Sequence, residues 1–364
     1  MVNNEKEQLS SIRREIDDLD IRIQELISRR SECAREIAQI KRASNPELVN
    51  FYRPEREAEV LRGVKARNKG PLDDEVIVTI FRQIMSASLA LQLPLRVAYL
   101  GPEGTYTHAA ALKQFGSSIK LIALAAIDEI FHEVESGNIS YGIVPVENST
   151  EGIVNHTLDM FLDSTLNICG EVSLRIHHHL LSNEGNLSQV STVFGHPQAL
   201  AQCRRWLNTN LPDIAQVAAS SNAEAADIAV KTPGAAATAS ESAAALYHLQ
   251  FLARNIEDDP NNTTRFFLIG KQQTKPSGND KTSLLLSTAN RPGALYAMLS
   301  PIAENGVSMT RIESRPSRRV AWDYVFFVDV EGHQTDTDIS KVLSELRDSH
   351  FLVRVLGSYP VSVP

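Results

Sequence analysis

The sequence predicts a multidomain chain: an all-α three-helix unit, an α/β unit in two lobes, and a small α+β unit. Three observations carry this. Apolar residues recur at alternating three and four spacing over residues 9–40, the period of an amphipathic helix. Short β-rich runs alternate with Ala-rich helical stretches between 96 and 270. Beyond a polar segment at 271–281 the pattern reads βαββαβ. A length of 364 residues suits two or three domains, at very roughly 150 residues each. The boundaries are assigned as 1–93, 94–272 and 281–364.

In the first unit Leu9, Ile12, Ile16, Leu19, Ile23 and Leu26, then Cys33, Ile37 and Ile40, form one stripe that Asn45-Pro46 ends. A second helix follows from Pro54 to about Arg67, and a third runs from Asp73-Asp74-Glu75 to about Leu91. Three unequal helices cannot bury a stripe about 50 Å long by themselves. A homodimer through the long helix, with a tetramer as a further step, is the expected remedy. In the second unit Arg96–Leu100, Tyr141–Val146, Leu166–Leu174, Val190–Phe194, Ala235–Thr238 and Thr264–Ile269 read as strands. Helices are expected from Tyr106, over Asn222–Val230 and over Ser240–Leu249. Lys271–Lys281 reads as an aperiodic linker. The last unit reads as strand Ser283–Ser287, helix Gly293–Glu304, strands Met309–Arg315 and Asp323–Val330, helix Thr337–Asp348 and strand Leu352–Gly357. That order is ferredoxin-like.

No apolar run reaches the ~18–20 residues a membrane helix needs, and the polar start from Met1 to Leu9 has no signal-peptide core. Three dispersed cysteines (Cys33, Cys169, Cys203) fit neither a disulfide framework nor a zinc knuckle, so a cytoplasmic setting is expected. The net charge of -8 argues against nucleic acid and anionic membranes. It lies wholly in 94–280, since residues 1–93 hold 16 basic and 16 acidic side chains and 281–364 hold 9 of each. Global charge therefore excludes polyanionic partners and says nothing of pockets.

The seam of the first helix is interrupted at Arg30, a guanidinium that is expensive to bury unless it meets an anion. Lys41, eleven residues on, lies only about 20° round from it. Arg13 is about 25 Å from Arg30 along the same helix, so only a second copy can bring it to that groove. On the third helix the line Ile77, Ile80, Ile84 continues as Ser88 and Gln92. With Arg29-Arg30, Lys41, Pro54-Glu55-Arg56-Glu57 and the Ser88–Gln92 pair, residues 5–93 resemble the all-helical chorismate mutases, which are intertwined dimers. The resemblance implies that Arg13 of a second copy, Arg30 and Arg56 hold the two carboxylates of chorismate. Lys41 and Gln92 would face its ether oxygen, Glu57 a ring hydroxyl, and Ser88 would line the pocket. One departure is Arg53, where many relatives carry Asp. The reaction is a unimolecular rearrangement needing no nucleophile or cofactor, only a fixed conformer and stabilised charge on the ether oxygen.

In the second unit, Asn262-Thr263-Thr264-Arg265-Phe266 precedes an apolar strand. With Gly101-Pro102-Glu103-Gly104-Thr105-Tyr106-Thr107-His108, Val144-Pro145-Val146-Glu147-Asn148-Ser149-Thr150 and His196-Pro197, it resembles prephenate dehydratase, a fold like the two-lobed periplasmic binding proteins with its site in the cleft. The resemblance makes Thr264 catalytic and places Thr105, Tyr106, Thr107, Glu147, Asn148, Ser149, His196, Arg265 and Phe266 at prephenate. Thr264 reads as a hydrogen-bond donor to the leaving hydroxyl, and the turn at 105–107 as a helix N-terminus where an anion docks. Read blandly, Thr105 or Thr107 caps that helix and His196-Pro197 only fixes a loop. His177-His178-His179, read as strand, alternate faces and cannot converge on a metal.

Gly293-Ala294-Leu295 and Glu313-Ser314-Arg315-Pro316 make residues 281–364 similar to the ACT amino-acid-binding domain. The resemblance implies an L-phenylalanine feedback site between two such domains, formed by Asn290, Gly293, Ala294, Leu295, Glu313, Ser314, Arg315 and Pro316. A bifunctional mutase/dehydratase regulated by phenylalanine is the expectation, with no cofactor or metal. A fusion to prephenate dehydrogenase would need a nicotinamide site, and no Gly-x-Gly-x-x-Gly occurs in the chain. A non-catalytic binding module in the middle unit is the remaining alternative.

Overall fold

The computed structural model describes residues 2–44, 52–92, 95–288, 291–317 and 324–363. The expected stop at Asn45-Pro46, the boundary at 93 and Asn290 lie outside the described residues.

Helix α1 (Val2–Ser44) is a single 43-residue rod, followed by α2 (Pro54–Arg67) and α3 (Asp74–Ala90). Leu61 and Val64 of α2 close on Val78 of α3 as a small core. The apolar seam of α1 stays uncovered within one chain: Ile12 is 54% exposed and Leu26 69%.

The second unit begins with β1 (Arg96–Leu100), α4 (Tyr106–Phe115), β2 (Lys120–Leu124), α5 (Ile127–Ser136), β3 (Tyr141–Asn148), β4 (Gly152–Ile153), α6 (Asn155–Met160) and β5 (Asn167–Arg175). The chain then crosses into β6 (His179–Ser182), β7 (Thr192–Gly195), α7 (Pro197–Gln202), α8 (Arg204–Asn210), β8 (Ala215–Ala218), α9 (Asn222–Lys231), β9 (Ala235–Ala239), α10 (Glu241–Tyr247) and β10 (Gln250–Ala253), and returns through β11 (Thr263–Gly270). Two sheets result, ordered β2-β1-β3-β11-β5, with β4 beside β3, and β10-β6-β9-β7-β8. The two lobes are joined by the segments before β6 and after β10. There Glu257 holds both strands of the hinge, pairing with His177 Nδ1 at 2.7 Å and accepting from the His178 amide at 2.9 Å.

The third unit comprises β12 (Asp280–Thr288), α11 (Ala294–Glu304), β13 (Met309–Pro316), β14 (Tyr324–Glu331), α12 (Thr337–Asp348) and β15 (Leu352–Pro360), in one antiparallel sheet β13-β14-β12-β15. This sheet shares a core with the first lobe, Leu285, Phe327, Leu356 and Tyr359 packing with Ile168, Phe267 and Ile269. The approach is so close that a Cβ on Gly357 would stand 2.1 Å from the Ile168 carbonyl oxygen. Only glycine tolerates that proximity. The segment 271–281 is not the free tether its composition suggests. Thr274, Ser277 and Asp280 are buried, and Thr274 donates to the Cys169 carbonyl at 3.2 Å.

After β15 the tail crosses the other two units. Ser362 accepts from the Ser173 amide at 3.2 Å and its own amide donates to Glu171 at 3.2 Å. Val363 packs on the α2–α3 core, and its carbonyl accepts from Arg82 at 3.3 Å.

Candidate active sites

The three helices enclose a cavity of about 420 Å³ that brings together Arg30 and Lys41 from α1, Arg56 and Glu57 from α2, Ser88 from α3 and Gln92 from the turn just after it. Helical geometry explains much of the convergence: eleven residues is close to three whole turns on α1, and Gln92 follows Ser88 by four residues as α3 ends. Ser88 donates to the Ile84 carbonyl at 2.8 Å, so its oxygen is left to accept from Arg30 Nη1 at 2.8 Å and aims that guanidinium. Burial lowers the pKa of Arg30 and of Lys41, the latter further through the charge of Arg53 on the cavity wall. Arg56 is exposed and paired with Glu59 at 2.8 Å. Burial pushes the Glu57 carboxyl up to about 7, opposed by the Arg82 guanidinium and a hydrogen bond from Tyr52. Arg13 is exposed and outside the cavity.

Sequence reasoning missed four contributors to this cavity. Arg82 is only 7% exposed; the signal was a lone guanidinium inside the otherwise apolar or neutral run 76–85. Tyr52 lines the cavity and accepts from Gln114 of α4 at 2.8 Å, and Gln114 and Phe115 of the second unit complete the wall.

Between the two lobes the geometry centres on Thr264. The side-chain oxygen of Asn148 accepts from the Thr150 and Glu151 amides, both at 3.0 Å. Its nitrogen is thereby turned to donate to Thr264 Oγ1 at 2.8 Å and to Asn262 Oδ1 at 2.7 Å. The first of these bonds occupies a lone pair of Thr264, not its hydrogen. Asn262 Nδ2 donates to Gln202 Oε1 at 2.9 Å, and Gln202 Nε2 donates to Glu151 at 3.1 Å. Gln202 sits on α7, so this chain of amides spans the lobes. Because Gln202 Oε1 can only accept, His178 Nε2, 2.8 Å away, carries the hydrogen. His178 Nδ1 meets Tyr106 at 2.8 Å, and burial lowers the pKa of the ring. Gln202 and His178 were not legible as site residues, because no local pattern places them beside Thr264; Asn262 stood in the Thr264 motif but was given no role.

Several expected contacts are corrected. Successive strand residues face opposite ways, and Arg265 leaves the Thr264 side to meet Glu171 at 2.7 Å, Asp329 at 2.6 Å and Glu147 at 3.3 Å. Glu147 also meets Arg311 of the third unit at 3.2 Å, so both charged motif residues make ion pairs at the boundary between units. Phe266 is core, packed with Tyr99 and Phe115. Thr105 caps α4 by accepting from the His108 amide at 3.3 Å, and His108 Nδ1 accepts from the Gly104 amide at 3.2 Å. The amides thus engaged, of Gly104 and His108, flank the expected turn at 105–107. Thr107 is buried, Ser149 accepts from the Thr263 amide at 3.0 Å, and His196 caps α7 through its ring, accepting from the Gln198 amide at 3.4 Å. The three adjacent histidines do not lie on one strand, since β6 starts at His179. His177 and His179 stack 6.4 Å apart while His178 turns to Tyr106.

In the third unit a cavity of about 180 Å³ gathers Gly293, Ala294 and Leu295 with Arg291, Tyr324 and Phe326. Gly293 adopts φ 76°, a left-handed turn into α11 that favours glycine. Glu313, Ser314 and Pro316 lie apart on β13 at the sheet edge. Arg315 does not reach the cavity in this chain. It forks onto Asp159 of α6 at 2.8 and 2.9 Å and donates to Asn155 at 2.7 Å.

Family models match in three consecutive stretches: chorismate mutase type II over 12–93, prephenate dehydratase over 97–274 and the ACT domain over 282–348. The chain is 53% identical over 363 residues to a bifunctional chorismate mutase/prephenate dehydratase of Stutzerimonas stutzeri, covering 99% of this chain and all of that one. It is 50% identical to the protein of that name from Pseudomonas aeruginosa, covering 99% of each. Among solved structures it resembles a prephenate dehydratase from Arthrobacter aurescens in complex with L-Phe, at 33% identity and a TM-score of 0.67, covering 73% of this chain and 90% of that one.

Proposed function

Because the chain belongs to the family of bifunctional chorismate mutase/prephenate dehydratases, we propose that its helical cavity rearranges chorismate to prephenate and its cleft converts prephenate to phenylpyruvate, under feedback from L-phenylalanine.

The observation that supports the first step is the convergence of Arg30, Lys41 and Arg56 on one cavity with Glu57, Ser88 and Gln92. Chorismate is a dianion. Arginine forks suit its carboxylates, and Lys41 with Gln92 faces the ether oxygen as the C–O bond stretches. Glu57 receives the ring hydroxyl. The exposed seam of α1 supports an intertwined homodimer, in which Arg13 of a second copy completes the carboxylate clamp.

For the second step, the Thr264 hydrogen points to the leaving hydroxyl. The ring C–O bond breaks with its electron pair, the electrons of the C–CO2 bond enter the ring, and hydroxide leaves as water after gaining a proton. Asn148 and Asn262 hold Thr264 for this. The two sheets joined at a double hinge support a binding-protein-like cleft, and the sheet order β13-β14-β12-β15 a ferredoxin-like effector unit. L-Phenylalanine occupies the cavity at Gly293–Leu295, its ring beside Tyr324 and Phe326. Among the described residues no helix is long and apolar enough to cross a membrane.

The test is chorismate supplied to the pure protein, with and without phenylalanine, following prephenate and phenylpyruvate. Both should appear, and phenylalanine should suppress the second. Prephenate accumulating alone would favour the non-catalytic binding module. A pH profile tests Glu57: its carboxyl is neutral below about 7 and accepts the hydroxyl much more strongly when ionised. Mutase kcat/KM should therefore rise by about tenfold in all from pH 6 to 8, and Glu57→Gln should flatten that rise. A wild-type profile level across this window would remove Glu57 from the role.

A further inference from the structure

Adjacent residues of one motif face two different structures. On the paired strands β3 and β11, Thr264 stands opposite Asn148 and Arg265 opposite Glu147, with the register slipping just after Arg265. The first pair is bonded at 2.8 Å inside the cleft. The second pair faces the effector unit, in a cluster where Glu147, Glu171 and Asp329 meet Arg265, Lys281 and Arg311. Three of these groups belong to the dehydratase sheet and three to the effector sheet, and their charges cancel.

Arg265 spends every face of its guanidinium there. Nε donates to Glu171 at 2.7 Å, Nη1 to Asp329 at 2.6 Å and to Glu147 at 3.3 Å, and Nη2 to the Tyr359 hydroxyl at 2.9 Å. Asp329 and Tyr359 are 1% and 0% exposed, so neither can drift without moving the guanidinium. Arg311, which meets Glu147, lies on β13, the strand that carries Glu313 and Arg315. Packed interiors respond to a change at one side by shifting between discrete arrangements. A bulge beside the bonded pair is where a strand re-aims its side chains.

We propose that Arg265 is the positioning residue through which the effector unit sets the Thr264–Asn148 pair, so that phenylalanine acts on dehydration by altering the Asp329 and Arg311 side of this cluster. The proposal rests on the dehydratase and effector readings above and adds their physical connection. It separates substrate binding from turnover, because Arg265 touches no cleft group and acts only on the aim of Thr264.

Four variants of the full chain test it, with mutase rate as the check on folding and phenylalanine binding measured by calorimetry. Arg265→Gln should lower dehydratase kcat by about tenfold or more with KM for prephenate little changed, and Arg265→Lys should recover part of the loss. Asp329→Asn should still bind phenylalanine, yet retain about fivefold more dehydratase activity than wild type at saturating effector. Tyr359→Phe, which removes one oxygen, should move the same way and serves if the buried acid is needed for folding. Wild-type kcat in a folded Arg265→Gln protein would overturn the positioning role. Unchanged inhibition in either effector-side variant that still binds phenylalanine would overturn the relay. Failure of the underlying readings shows separately, as a wild-type chain that forms no phenylpyruvate or is not inhibited.

Discussion

Thr264→Val removes phenylpyruvate formation and leaves chorismate consumption untouched. Valine keeps the branched shape of threonine on β11, so the strand and its packing persist while the hydroxyl goes. Deleting one well-aimed donor to a developing oxyanion costs about 10²–10³ in kcat. The loss here should reach at least that range, because Asn148 Nδ2 also loses the acceptor it holds at 2.8 Å and one amide donor is left short. Prephenate should accumulate when the variant is fed chorismate, since the helical cavity shares no residue with the cleft. Phenylpyruvate appearing at the wild-type rate would remove Thr264 from the chemistry.

Arg30→Ala produces the opposite split. Arg30 is held by Ser88 and lines the cavity, so its loss removes a charged fork and opens space for water. Charge-assisted hydrogen bonds contribute about 1.5–3 kcal/mol each, so losing a two-pronged clamp amounts to about 10²–10⁴ in mutase kcat/KM. Dehydration of supplied prephenate should be unchanged. Arg30→Lys should recover little, because an ammonium offers a point charge instead of a planar fork. Equal loss of both activities in Arg30→Ala would mean that the substitution disturbs folding and not a pocket.

The helical site was legible because helical geometry is. Eleven residues between Arg30 and Lys41, or four between Ser88 and Gln92, fix their common face without any tertiary knowledge. Elements of the core were equally plain where apolar patterns marked them, strand β1 and helix α12 matching their expected limits. The edge strands β2 and β8 were not. All four residues of β8 are exposed and β2 is at most half-buried, so neither carries an alternation to detect. In the cleft, Asn262, Gln202 and His178 reach Thr264 through bonds between residues as far as 114 positions apart. Arg265 and Glu147 show a different limit. Motif membership placed them at the substrate, but strand alternation, the rule that separates adjacent side chains, turns them to the other face.

The contact between Val363 and the α2–α3 core also has a temporal side. Arg82 waits for a carbonyl made 281 residues later, which is roughly 15–60 s of synthesis at 5–20 residues per second. Through that interval the earliest unit to leave the ribosome holds an unfinished core and a buried cation with a missing partner. Completion of that core therefore waits on residues made near the far end of the chain.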